Sequence, residues 1–316
     1  MSLDSIFSLG QSALELGLIT SLTVLALFLS YSMLNVCDLS TDGCFTLGAT
    51  VGAVVAIAGH PYLSIAAAME AGMAAGIASG FITAILQTKM GINSLLAGII
   101  VNTGLYSINI AVMSGSSILN MNKTDTVFTK MAALLKGTPV ARQSKLFVAI
   151  IAVAAVAVIL GLFLKTRLGL AIRATGDNPD MVRSSSVNPA FTTIIGLCVA
   201  NSFTALSGCL LAQSQRSVNI DIGTGMVTIA LASLLIGGVF LGRKKMPLRI
   251  FGMVLGAFIF RLIYTIALRF DMPAFMLKFV SSVIVIAAIA TPYFKKQLPL
   301  LKRRIQTRSG RRKADA

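Results

Sequence analysis

Apolar and polar residues in this chain segregate over whole segments, with polar stretches marking the breaks. Nine apolar runs stand out: Leu18–Val36, Phe45–Gly59, Leu63–Leu86, Ile92–Met113, Leu146–Leu164, Phe191–Leu211, Val227–Leu241, Leu248–Leu268 and Ala274–Ala290. Most reach the ~20 residues that an α-helix needs to cross a hydrocarbon core of about 30 Å. The pattern predicts an all-α, polytopic integral membrane protein of about nine transmembrane helices. Phe45–Gly59 and Val227–Leu241 have 15 residues each and are rich in small side chains. They are expected to be tilted, partly unwound or re-entrant where neighbouring helices shelter the backbone.

The sharpest polar interruption is Lys165–Pro189. Asn178 can cap free N–H groups and Pro179 suits the first helical position, so a helix starts there. Asn188-Pro189 stops it after about two turns, near Val187, because the residue before proline is pushed out of the α region. Gly176 is read as the tight turn ahead of it. The short helix then has Arg173 and Asp177 at its approach, Met181 and Val182 on one outward side, and Arg183 nearby. Too short to be stable alone, it reads as a docking element that a partner covers, or else as an ordinary solvated loop.

Composition fixes the solvent. With 56% hydrophobic and 12% charged residues and a mean hydropathy of +0.85, the chain is far from the quarter or so of charged residues typical of soluble domains. Its net charge of +16 is explained by orientation: 18 of 27 basic residues fall on one side if the tail, Arg243–Arg249, Lys165–Arg183 and Lys89 are cytoplasmic. The N-terminus and the 114–145 loop then lie outside. Residues 1–294 read as one transmembrane domain, and 295–316 as a basic cytoplasmic tail, disordered and attracted to anionic lipid, with RNA binding a distant alternative. No cleavable signal peptide is visible. Cys37, Cys44, Cys198 and Cys209 form no metal or redox spacing and read as small hydrophobes. His60, before Pro61, reads as a polar helix end.

Each half holds a long helix, an acidic-glycine turn (Asp42-Gly43; Asp221-Ile222-Gly223), a short span, and a helix with small residues four apart (Gly72, Gly76, Gly80; Gly252, Gly256). Spans one to four would match spans six to nine, and the odd fifth span would invert the second copy, a transporter arrangement. Chance recurrence of glycine in membrane helices gives the same pattern.

Chemistry is largely excluded. No phosphate-binding G-x-x-x-x-G-K-[ST] loop, paired carboxylates, metal-ligand cluster or G-x-S-x-G occurs in a credible position, so an enzyme is not expected. Ionisable candidates within the spans are Glu70 and Arg261, with Lys278 near a helix start, thin for an ion-coupled carrier. Glu70 and Arg261 lie at similar depths and either pair, or leave Arg261 snorkelling and Glu70 on an aqueous path. Polar residues that can line a path are Asn93, Ser94, Asn102, Thr103 and Asn109 in the fourth run and Asn201, Ser202, Thr204 and Gln213 in the sixth. Helix-to-helix hydrogen bonding is the competing role for each.

GLAIRATGDNPDMVRSSSVN, IIGLCVANSFTALSGCLLAQ, IDIGTGM with IGGVFLG, and GINSLLAGIIVNTGLYSINI together resemble the permease subunits of binding-protein-dependent ABC importers. The branch is that of branched-chain amino acid, ribose-type and nucleoside permeases, and especially those paired with lipoproteins proposed to bind aromatic amino acids. The resemblance covers roughly 42–292. It implies that the polar insert is a coupling helix seated on an ATPase subunit, with Arg173, Ala174, Gly176, Asn178 and Arg183 at matching positions. Where the family commonly has glycine, this chain has Ser186. It further implies two permease copies around a path, ATP and Mg held by the partner ATPase and no cofactor on this chain. An external solute-binding lipoprotein would then dock on the 114–145 loop, where Val127–Leu135 is expected as a short amphipathic helix or else a floppy loop. An ion-coupled carrier or channel and a membrane scaffold protein are the alternatives.

Overall fold

The computed structural model describes residues 3–58, 64–122, 124–134, 143–241 and 245–269, and single positions at 279, 282, 283, 286 and 290. His60, Arg243, Lys278, the tail and most of the ninth run lie outside these residues. Within them the chain is all-α apart from two short strands. The helices are α1 (Leu3–Leu27), α2 (Thr41–Ala58), α3 (Ser64–Thr88), α4 (Ser94–Val112), α5 (Val127–Leu134) and α6 (Ser144–Phe163). They continue with α7 (Arg167–Asp177), α8 (Pro179–Ser184), α9 (Pro189–Gln215), α10 (Met226–Leu241) and α11 (Met246–Arg269). Seven of those described, α1–α4, α6, α9 and α11, are long and apolar enough to cross a membrane. The polytopic all-α expectation holds at this level. α10, at 16 residues, is shorter.

α9 is the centre of the bundle. It carries apolar residues around its whole circumference, as a helix with no solvent face does, and it packs on α1, α2 and α3. Glycines let the backbones meet: a Cβ on Gly48 of α2 would overlap the Ala205 carbonyl, and one on Gly208 the Phe45 carbonyl. The glycines of α3 face α2 and α9, while Gly252 and Gly256 of α11 face Ser233, Gly237 and Leu241 of α10. Small residues four apart therefore serve close helix packing in both halves of the chain.

Two helix boundaries depart from the apolar runs. α1 begins well before Leu18 and ends in a π-helical turn, Phe28–Met33. α2 is a continuous 18-residue helix, longer than its apolar run because Thr41 and Asp42 at its start are polar. Between them Leu34–Ser40 is non-helical, with Asn35 at φ 57°. At the opposite end of the bundle from α7 and α8, strand β1 (Ile118–Asn120) pairs antiparallel with β2 (Ser217–Asn219), tying the chain after α4 to the chain after α9. α5 is no floppy loop: Phe128 is buried, Met131 packs on the core, and the Val127 N–H donates to the Gln213 Oε1 at 3.1 Å.

Candidate functional site

The polar insert folds as two helices. Thr166 caps α7 by accepting from the Gly169 N–H at 3.2 Å, and α7 lays Ile172 and Thr175 against the bundle, where Thr175 and Thr192 hydroxyls meet at 2.8 Å. This 11-residue helix is not evident in the sequence, where Gly176 reads as a turn. Gly176 is helical; a Cβ there would overlap the Met33 carbonyl oxygen and sit 2.9 Å from Leu34 Cα. Its role is close approach to the end of the π-helical turn, not chain reversal.

Asn178 does cap α8 as anticipated, its Oδ1 accepting from the Asp180 and Met181 N–H groups at 3.1 Å each, with Pro179 in the first turn. The helix stops earlier than Val187: Ser186 takes a left-handed φ of 62°, the conformation that favours glycine. Val182 is a second correction. It is buried at 4% exposure, packing α8 down, while Met181 at 61% points out. Asp177, Asn178, Pro179, Asp180, Met181 and Arg183 form the exposed surface, and Arg173 is half-buried beneath it.

Two aspartates organise the interior. Asp38, in the non-helical link, is 2% exposed. Its carboxylate accepts from the Asn201 side-chain amide at 2.9 Å and the Ser40 N–H at 2.8 Å. Asn201 lies next to the midpoint of the 27-residue α9, so the link sits at membrane depth, sheltered by protein as irregular backbone there must be. Asp42, in the first turn of α2, accepts from the Gly225 and Val227 N–H groups at 2.9 and 2.8 Å. It satisfies the free donors at the start of α10 and complements the helix dipole. Gly223 fits against the Asp42 carbonyl and Thr46 only because it lacks a side chain. The two acidic-glycine turns noted in the sequence are thus in contact.

Beside this junction lies a polar cleft of about 400 Å³, between Asp42, Gly43 and Thr46 of α2, Asn102, Thr103, Tyr106, Ser107 and Asn109 of α4, and Ile220, Asp221 and Thr224 ahead of α10. Thr103, Tyr106 and Ser107 are exposed in the middle and second half of a helix long enough to span the membrane. Asn109 is buried, its amide donating to the Gly43 carbonyl at 3.3 Å while its Oδ1 has no partner among the described residues. Lone polar groups in hydrocarbon are unfavourable, so this face belongs to water, solute or another protein surface. Among the described residues no lysine, arginine or histidine lines the cleft.

The other expected path residues are placed elsewhere. Asn93 caps α4, accepting from the Leu95 N–H at 3.0 Å. Asn201 serves Asp38, and Gln213 joins α5 to Cys209. Glu70 is exposed on α3, whereas Arg261 of α11 stacks 5.0 Å from the Tyr264 ring and packs beside Gly17 of α1. Of the two alternatives for Glu70 and Arg261, the pair does not form, since α3 packs on α2, α4 and α9 and α11 on α1, α6 and α10. Missed by sequence were Thr46, Tyr106, Ser107, Thr224 and the aspartates at 38, 42 and 221. Among the described residues no group of three or more His, Cys, Asp or Glu forms a metal-binding cluster.

Residues 11–289 match the model of a family described as branched-chain amino acid transport system / permease component. A tyrosine transport system permease protein of Clostridioides difficile (strain R20291) is 30% identical over 281 residues, 89% of this chain and 90% of that protein. A protein of Rickettsia prowazekii (strain Madrid E), described as uncharacterized, is 30% identical over 226 residues, 72% of this chain and 75% of its own. The autoinducer 2 import system permease protein LsrC of Escherichia coli O9:H4 (strain HS) is 28% identical over 129 residues, 40% of this chain and 37% of that protein. No solved structure matches significantly.

Proposed function

This chain belongs to the family of branched-chain amino acid transport permease components, and from that premise we propose how it does its work as the permease subunit of an ABC importer in the cytoplasmic membrane. The solute is small, polar and organic, delivered from outside by a binding protein, and the tyrosine named for the C. difficile relative makes an amino acid the first to test. Its path runs along the polar cleft between α2, α4 and the turn before α10. The observation that carries this reading is the run Asn102, Thr103, Tyr106, Ser107, polar and accessible in a helix that crosses hydrocarbon. Transport proceeds without chemistry on this chain. ATP and Mg are held by a separate ATPase subunit that seats on α8, and the carrier and scaffold alternatives give way to the family match.

Two copies of the chain enclose the path, since paired identical subunits are the commonest assembly. The basic α7–α8 end faces the cytoplasm, and the β1–β2 end faces the binding protein. Residues 1–294 act as one permease domain of nine spans in two inverted halves, followed by the tail 295–316. Support for the inversion comes from α2–α3 and α10–α11, each a glycine-packed pair with an Asp-Gly or Asp-x-Gly at or just before its start. ATP-driven closure of the ATPases moves α8 and α7, and Gly176 hands that motion to the link between α1 and α2.

The test is uptake by proteoliposomes holding permease, ATPase and binding protein. Asn102→Leu and Ser107→Leu are expected to abolish uptake while the ATPase still binds and the protein stays monodisperse. Wild-type uptake in both variants would remove the cleft from the path.

A further inference from the structure

On the outer surface of the bundle, α6 and α11 diverge over α1 and leave an apolar crevice of about 470 Å³. Leu18 of α1 forms its floor, and the small residues Ala154, Ala157 and Gly161 of α6 keep it open against Ile250 and Phe251 of α11. The crevice runs from Ile150 to Leu162 along α6, about 18 Å at ~1.5 Å per residue, close to the roughly 15 Å depth of one leaflet, and ends at Lys165 just past the helix. None of the described positions between 279 and 290 lines it. Among the described residues its charged lining residue is Lys165, at the α7–α8 end, and exposed Lys245 directly precedes Met246 on the other wall.

We propose that this crevice holds one acyl chain of an anionic phospholipid, whose headgroup phosphate is held by Lys165 and Lys245. An acyl chain entering the slot exchanges one hydrocarbon setting for another and gains little from the hydrophobic effect. Selectivity therefore comes from the charge at the mouth, where each basic residue near an anionic lipid surface contributes on the order of 1 kcal/mol. The slot fixes the stoichiometry, and the lysines fix the headgroup class. On the orientation proposed above, this is a lipid of the cytoplasmic leaflet, bound where α6 passes into α7.

Native mass spectrometry of the full-length chain in detergent, with equal phosphatidylglycerol and phosphatidylcholine of the same acyl composition, tests the site. One phosphatidylglycerol per chain should be retained in preference to phosphatidylcholine. Lys165→Gln and Lys245→Gln should each lower that preference about fivefold, and Lys89→Gln, an exposed lysine outside the crevice, should leave it unchanged. Ala154→Phe should remove the bound lipid whatever its headgroup. Equal retention of both lipids, or an equal effect of Lys89→Gln, would overturn the proposal. So would efficient disulfide formation between cysteines placed at 158 and 283, because the chain's own 274–290 segment would then fill the slot.

Discussion

Splitting the apolar pair on α8 gives the sharpest test of the docking surface. Met181 is 61% exposed and Val182 4%, so an aspartate at each has a different target. Met181→Asp should change folding stability by no more than about 0.5 kcal/mol, as exposed substitutions do. At a docked surface it removes ~1.5–3 kcal/mol of side-chain burial and sets a carboxylate against apolar contacts at a further ~1–3 kcal/mol. A combined loss of ~3–4 kcal/mol weakens ATPase binding roughly 100- to 1,000-fold. Val182→Asp instead forfeits buried valine and strands a carboxylate beneath a six-residue helix, a penalty of several kcal/mol that the permease itself must bear. Titrating labelled ATPase onto purified permease, with thermal unfolding alongside, separates the two. Met181→Asp should keep the wild-type melting point and lose ATPase binding, while Met181→Leu keeps both. Undiminished binding and uptake in Met181→Asp would refute docking through this face.

Further outcomes follow from other sites. Gly176→Ala should cut uptake at least tenfold with the ATPase still bound, because the added Cβ overlaps backbone at Met33 and must push α7 off the α1 end; paired binding and uptake measurements check this. Asp42→Ala should lower the melting point, since it leaves the Gly225 and Val227 N–H groups at the start of α10 without their acceptor, a cost of about 1–3 kcal/mol; a melting point equal to wild type would remove its capping role. A cysteine at Ser116 should react with an impermeant thiol reagent added outside cells and one at Ser184 should not, and the reverse pattern would invert the orientation.

Membrane class, most spans and the start of α8 were legible because each rests on local chemistry: long apolar runs, and an Asn-Pro pair that can do little but open a helix. Roles that depend on what lies opposite were not. Asn102 and Asn201 are the same residue type in similar apolar helices, yet one borders a cleft and the other holds Asp38, and no periodicity separates them because α9 has no solvent face to break its pattern. Asp42 looked like loop punctuation, since the donors it satisfies are 183 and 185 residues away. Gly176 shows the same limit: one residue type serves turns and close packing, and only the presence of Met33 decides between them. Ser186 was readable in part, its place at a position commonly occupied by glycine agreeing with the left-handed φ that ends α8.

The bond between Asp38 and Asn201 spans 163 residues of sequence, and this constrains how the protein is made. At roughly 5–20 residues per second, a ribosome takes on the order of 10–30 s to supply Asn201 after Asp38 has emerged. Throughout that interval the first two membrane helices are joined by an irregular link that carries a carboxylate and lacks its amide partner. A carboxylate without its partner is costly at that depth, so the link between α1 and α2 should reach its final position only once α9 has been inserted. Biogenesis should accordingly be most vulnerable to truncation between α2 and α9, the window in which the membrane quality-control machinery meets an unpaired aspartate.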